Sequence, residues 1–303
     1  MTLAYLISAH TDPLQLARLV RALDDDAHFF VHVDKKTDIR AFQQLCPQPN
    51  VHFLEQRFDV RWATYLQVDY QLALLRAAVA YPLHFHRLIM LSGLDYPIRS
   101  NAEIRAWIEA QGKRETLWTY CLDTPLLPEN QRRLYSVPRL LLRRFPAKYA
   151  TWISILCRRA MERFNYRRPL HLDVDGKQWP VYKGSSWFCI SEALAGHILS
   201  TYDAHPTIHR FFEHTFGPDE TMIPTIVMNS PQWATYCTLC EGEYPGLTAL
   251  TPIHFIIYEP EIRVMRMEHL DLLRQSKKLF ARKFVSGQSD ELIDTLRATN
   301  EKS

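Results

Sequence analysis

LAYLISAHTDPLQLARLVRAL, residues 3–23, runs from an apolar strand straight into a capped amphipathic helix. Residues 3–8 have no helical period and no charge, the pattern of a strand buried on both faces. Asp12 stands where an N-cap is needed, Pro13 fits the first helical position, and Leu16, Leu19, Val20 and Leu23 recur on one face. A buried strand that feeds a helix is the first half of a β-α-β unit.

The same rhythm continues outward. HFFVHV (28–33), VHFL (51–54), RLIMLS (87–92) and TLWTYCL (116–122) read as strands, and residues 65–81 as a long, largely buried helix. Ser100 and Glu103 make a capping box for the helix after the fourth strand. VYKGSSWFCIS (181–191) resumes a strand pattern, Ser191 caps the helix that follows, and residues 206–216 are helical. A further helix opens behind Gly217-Pro218, and Pro224 is expected to bend or shorten it. The expected fold is α/β, a single domain over 1–303 with a Rossmann-like, mostly parallel central sheet flanked by helices.

Hydrophobic residues make up 47% of 303, enough for a substantial core. No apolar run reaches the roughly 20 residues that cross a bilayer, and MTLAYLISAH lacks the basic start of a secretory signal. The expectation is a cytoplasmic chain, soluble or peripherally associated with the inner membrane. Six scattered cysteines are no disulfide framework, and the lone pair Cys237 and Cys240 reads as two half-buried thiols rather than a metal site.

Charge is unevenly placed. The net charge is +3, yet residues 130–170 hold eleven Lys or Arg against the single acid Glu162. Within that segment YATWISILCRRAMERF (149–164) has a helical apolar period with paired arginines beyond it. A solvated packing helix and a peripheral contact with an anionic membrane are both open readings. No nucleic-acid motif occurs and the overall balance is too neutral for nucleic-acid binding.

No G-x-G-x-x-G, P-loop or G-x-S-x-G is present, which removes the dinucleotide, NTPase and serine-hydrolase readings. In a parallel sheet, ligands collect beyond the carboxyl ends of the strands. The polar residues there are Ser8-Ala9-His10, Asp34-Lys35-Lys36 and Ser92-Gly93-Leu94-Asp95. Asp219 and Glu220 form an adjacent acid pair in TFGPDETMIPT (215–225). From pattern alone both complement a helix N-terminus. Asp173-Val174-Asp175 precedes Gly176 and reads as a turn rather than a metal ligand set.

AYLISAHTDPLQLARLVRAL, FFVHVDKKTD, LIMLSGLDYPIRSNAEI, YKGSSWFCIS, GPDET and KKLFARKF occur in this order along nearly the whole chain. Together they resemble the core-2/I-branching β-1,6-N-acetylglucosaminyltransferases and the peptide O-xylosyltransferases. The resemblance implies a GT-A type fold, a UDP-sugar donor, inversion at the anomeric carbon, and no metal or other cofactor. It divides the chain into a nucleotide-sugar half (1–125), a basic acceptor- or membrane-facing insertion (126–180), a catalytic half (181–285) and a C-terminal tail (286–303).

Residue by residue, the resemblance makes Glu220 the catalytic base and leaves Asp219 as the helix cap. Lys283 and, across a small alignment gap, Arg263 would neutralise the donor diphosphate. His10, Asp34 and Asp95 would contact the nucleotide, and Trp187 and Ser185 the sugar or acceptor, with a core role for Trp187 as the alternative. Where the family usually shows Trp-Gly-Gly, this chain has Trp62-Ala63-Thr64. Transfer of N-acetylglucosamine to a glycan or lipid-linked glycan acceptor of a bacterial surface polysaccharide is the leading expectation. UDP-xylose-dependent transfer, or a non-catalytic sugar- or membrane-binding protein on the same fold, are the alternatives.

Overall fold

The computed structural model describes residues 1–140, 147–259 and 261–300. Arg143 and Arg144 of the basic segment and the last three residues lie outside the described residues. In chain order the first elements are β1 (Leu3–Ala9), α1 (Pro13–Leu23), β2 (Ala27–Val33), α2 (Arg40–Leu45), β3 (Val51–Phe53), α3 (Leu66–Val79), β4 (Arg87–Ser92), β5 (Asp95–Pro97) and α4 (Asn101–Gln111). Next come β6 (Trp118–Cys121), α5 (Glu129–Ser136), α6 (Ala147–Arg163), β7 (His171–Val174), β8 (Lys177–Pro180), β9 (Tyr182–Lys183), β10 (Cys189–Ile190), α7 (Glu192–Ala204) and α8 (Pro206–Phe212). A 3₁₀ turn (Pro218–Glu220) leads into α9 (Met222–Met228), followed by α10 (Pro231–Ala234), β11 (Thr238–Leu239), β12 (His254–Ile256), α11 (Leu270–Gln275), β13 (Phe280–Arg282) and α12 (Asp290–Asn300).

The central sheet has the order β10-β4-β1-β2-β3, parallel except for β10. This is the α/β, mostly parallel architecture that the sequence pattern predicts. Strand alternation sorts β1 into two cores: Ala4 and Leu6 join α3, α7 and α9 on one side, while Leu3, Tyr5 and Ile7 join α1 and α4 on the other. Both faces are covered, which is why β1 carries no polar alternation.

The helix starts follow their caps. Asp12 accepts from the Gln15 N–H, Ser100 and Glu103 close a reciprocal box, and Ser191 accepts from the Leu194 N–H. Glu115 holds the Ser191 hydroxyl at 2.5 Å, so that cap is also a tie between two segments. The helix expected behind Gly217-Pro218 is short: a 3₁₀ turn over Pro218–Glu220 comes first, and α9 starts at Met222 with Pro224 near its start. Pro224 lies in the first turn, where its missing N–H has no helical acceptor to lose.

Three expectations change. Residues 181–191 are two short strands, β9 and β10, separated by an irregular loop that carries Ser185, Ser186 and Trp187. The expected tail instead contains α12, whose Leu292, Ile293 and Leu296 are buried against Tyr96 and Phe284. A second small sheet, β12-β13-β5, stands apart from the central one where the sequence pattern predicts no strands. Asp173 to Gly176 do form a turn: Asp175 and Gly176 both have positive φ, and the Gly176 N–H donates to the Asp173 carboxylate at 3.0 Å.

Candidate active site

The parallel register brings Ser8 opposite Ser92 and Ala9 opposite Val33, so β1, β2 and β4 end on one level. A cleft of about 410 Å³ opens there, with His10, Asp34, Ser92, Trp187, Glu220 and Arg282 among its lining residues. A larger cavity of about 650 Å³, between α1, α4 and α12, contains none of the expected site residues. The strand-end cleft is the candidate site because four elements converge their polar side chains on it.

One wall is made from strand ends. Asp34 is nearly buried and accepts from the Lys36 backbone at 2.9 Å and its ammonium at 3.0 Å. His10 is exposed at the rim; partial desolvation and the Arg282 guanidinium push its basicity below that of a free imidazole. Tyr70 of α3 reaches the same wall, and burial raises its phenol.

Asp95 does not face the cleft. Its side chain is fully buried, and its two oxygens accept from the Ser92 N–H at 2.6 Å, His254 Nε2 at 2.9 Å and Arg282 Nη1 at 3.0 Å. Burial opposes the charge, but His254 and Arg282 outweigh it and keep the carboxyl below the usual carboxylate range. Asp95 therefore acts through Arg282, which lines the cleft and lies 5.6 Å from the Trp187 ring. Trp187 also packs at a tilt against His254, ring centroids 5.1 Å apart, so it serves both readings, packed against the core and lining the cleft.

The expected diphosphate cations are displaced from the cleft wall. Lys283 is half-buried and does not line it, although its charge is felt by His10. The Arg263 guanidinium is paired with Glu259 at 2.6 Å, and its neighbour Ile262 is the lining residue. Lys283 and Arg263 are nonetheless adjacent through the backbone, Lys283 N–H donating to Arg263 O at 3.3 Å. The cation that does enter the cleft is Arg282, one residue before Lys283.

The opposite wall carries the acid pair. Glu220 ends the 3₁₀ turn and pairs with Lys183 Nζ, which comes from β9 and is only 2% exposed. Burial disfavours the Lys183 charge, but Glu220 and the phenols of Tyr135 and Tyr244 outweigh it and raise the ammonium above its ordinary value. Lys183 sits 5.6 Å from the Tyr135 ring. A permanent cation thus holds one oxygen of Glu220 while the carboxylate still borders the cleft.

Asp219 is not a helix cap. Its carboxyl accepts from the Ser186 hydroxyl at 2.5 Å and from the Gln67 amide at 3.2 Å, and no side chain caps either the 3₁₀ turn or α9. Burial and the adjacent Glu220 charge push it up to about 7. Its Oδ1 is buried without a hydrogen-bond partner among the described residues, so nothing there compensates a negative charge. Ser185 is likewise reassigned: it is buried, its hydroxyl accepts from the Trp187 N–H at 3.1 Å, and Ser186 rather than Ser185 borders the cleft.

At the mouth, Trp62 is 74% exposed and packs edge-on to Phe216 at 5.6 Å. Arg139 lies 5.7 Å from both rings. Ala63 follows with φ of 53°, a left-handed conformation that favours glycine, and it is among the residues that line the cleft. Among the described residues no cluster of three or more His, Cys, Asp or Glu could hold a metal, and no helix is long and apolar enough to cross a membrane.

The strand-end cleft faces an acid wall held by a buried lysine, in an α/β fold with a mostly parallel sheet. The chain belongs to the core-2/I-branching enzyme family, a glycosyltransferase family whose model matches residues 3–240. Among curated relatives, xylosyltransferase 1 of Rattus norvegicus is 28% identical over 233 residues, covering 73% of this chain and 25% of the relative. Xylosyltransferase 2 of Canis lupus familiaris is 26% identical over 237 residues, covering 76% and 25%. The chain thus spans about a quarter of the length of these relatives. Among solved structures, mouse xyloside xylosyltransferase 1 in its apo form covers 93% of this chain and 97% of its own, at 10% identity and a TM-score of 0.37, a distant likeness.

Proposed function

We propose that this chain is an inverting glycosyltransferase that moves a sugar from a UDP-sugar to a hydroxyl of a glycan or lipid-linked glycan acceptor, as in building a surface polysaccharide. One observation carries the reading: the Glu220 carboxylate, fixed by buried Lys183, borders the same cleft as the parallel strand ends and Arg282. In this mechanism the nucleotide lies along His10 and Asp34. Glu220 takes the acceptor proton as the hydroxyl attacks, and Arg282, with Lys283 behind it, stabilises the departing diphosphate. Asp95 positions Arg282, and Asp219, holding its proton near neutrality, keeps a second negative charge away from Glu220.

Metal independence is part of the proposal. The strand-end acid, Asp95, is already bonded to His254, Arg282 and the Ser92 N–H, and Arg282 offers the cleft a fixed positive charge that would do the work of a metal. A non-catalytic binding protein would not need the charge-paired base at the cleft.

For the donor, the names of the curated relatives, xylosyltransferases, favour UDP-xylose. UDP-N-acetylglucosamine is the second reading, carried by the resemblance of the sequence motifs to the N-acetylglucosaminyltransferase branch. The test is UDP release from a panel of UDP-sugars with excess chelator. Turnover with one or both of these donors is expected. No turnover and no UDP binding would overturn the reading, and turnover abolished by chelator would overturn metal independence.

A further inference from the structure

The outer face of α6 is an apolar and basic surface that the transferase reading does not use. Its inner side is tied to the fold: Ala150 and Ser154 are buried, and Arg158 bonds Glu162 at 3.2 Å and lies 5.9 Å from the Phe216 ring at the cleft mouth. On the outer side Tyr149, Trp152, Ile155 and Leu156 are 62%, 63%, 46% and 42% exposed. The helical period places Lys148, Arg159 and Arg163 on that same side, and all three are exposed. The only acid of the helix, Glu162, is turned to Arg133 and Arg158.

A surface helix in water ordinarily turns its apolar stripe inward. This one turns large apolar side chains outward among cations with no compensating acid. Just beyond it Phe164 is 84% and Tyr166 54% exposed. A second copy of the chain is a poor occupant, because a two-fold contact would set this cationic face against itself. A lipid surface of negative charge satisfies both components: aromatic and aliphatic groups enter the headgroup layer, and Lys and Arg meet the phosphates.

We propose that the outer face of α6 docks on an anionic bilayer, with Trp152, Ile155 and Leu156 in the headgroup layer and Lys148, Arg159 and Arg163 on lipid phosphates. Because Arg158 on the inner side packs against Phe216, docking sets the cleft mouth beside the membrane, within reach of a membrane-held acceptor. The docking does not rest on the transferase reading.

The test is flotation of the full chain with vesicles of phosphatidylglycerol in phosphatidylcholine and of phosphatidylcholine alone. Binding to the anionic vesicles only, weakened by salt, is expected. Arg159→Gln and Arg163→Gln should each weaken it roughly fivefold, and Trp152→Ser with Ile155→Ser should abolish it. All four substitutions are on exposed positions, so thermal melting and UDP affinity should stay at wild-type values, which separates this test from that of the transferase reading. Equal binding to both vesicles, no binding to either, binding unaffected by the substitutions, or a dimer lost with Trp152→Ser in place of vesicle binding would each overturn the proposal.

Discussion

The two walls of the cleft are built by different physics. The strand-end wall rests on regular backbone: parallel register fixes Ser8, His32 and Ser92 on one level, the Asp34 N–H donates to Ala9 O just beyond them, and Asp95 anchors Arg282 behind. The acid wall rests on irregular backbone, a 3₁₀ turn after left-handed Gly217 and a loop after β9, joined by the Lys183–Glu220 pair across 37 residues. The first wall is positioned by hydrogen-bond ladders and the second by buried charge. Substitutions on the first should therefore alter donor binding and stability together, and those on the second should alter turnover with donor binding kept.

The largest effect is expected at the join between them. Arg282→Ala removes the cleft cation and leaves the buried Asp95 carboxylate with only His254 and the Ser92 N–H as partners. A loss of about 10³-fold in kcat/KM is expected, together with about 3 kcal/mol of stability; steady-state kinetics and urea unfolding measure the two. Unchanged stability would show that the strand-end wall does not depend on the Asp95–Arg282 pair.

Next is Lys183→Met, which keeps length but removes the charge that holds Glu220. Turnover should fall about 10²-fold while the Kd for UDP stays within twofold, since a misplaced base costs catalysis rather than donor binding. A matching loss of UDP affinity would merge the two walls into one.

Asp219 gives a pH test. Its folded-state pKa lies above that of the unfolded chain, so the folded protein binds the extra proton between about pH 4 and pH 7. The stabilisation is complete below pH 4 and is lost as pH rises toward 7. Asp219→Asn should remove that decline, so that melting temperatures of variant and wild type diverge in the variant's favour from pH 5 to pH 8. Parallel curves would contradict a buried proton on Asp219.

The smallest effect is expected at the mouth. Trp62→Ala should raise the acceptor KM by severalfold through loss of a stacking face, with donor kinetics unchanged. A changed donor KM would move Trp62 from the acceptor side to the donor side.

The same contrast explains what the sequence made legible. β1, α1, α4 and α7 follow from local chemistry, caps next to apolar periods, and the structure keeps each start where the cap stands. β5, β12 and β13 are three residues each, too short for any period to register. α12 left a signal in Leu292, Ile293 and Leu296 behind Asp290 and Glu291, but exposed charge around them masked it.

In the site, strand-end position singled out His10 and Asp34 because the register carries them there. KKLFARKF offers neighbouring cations, and only the tertiary partner Asp95 decides that Arg282 turns to the cleft. Ser185 and Ser186 are equally polar in sequence; the loop backbone alone sends one to the Trp187 N–H and the other to Asp219. Lys183 left no local mark, because its meaning is a contact with Glu220.

The central claim, that Glu220 is the base of a cleft whose other wall holds the donor, is tested by UDP release and UDP affinity measured side by side in Glu220→Gln. The account predicts turnover reduced by about 10²-fold or more with the Kd for UDP unchanged. Turnover at the wild-type level would contradict it.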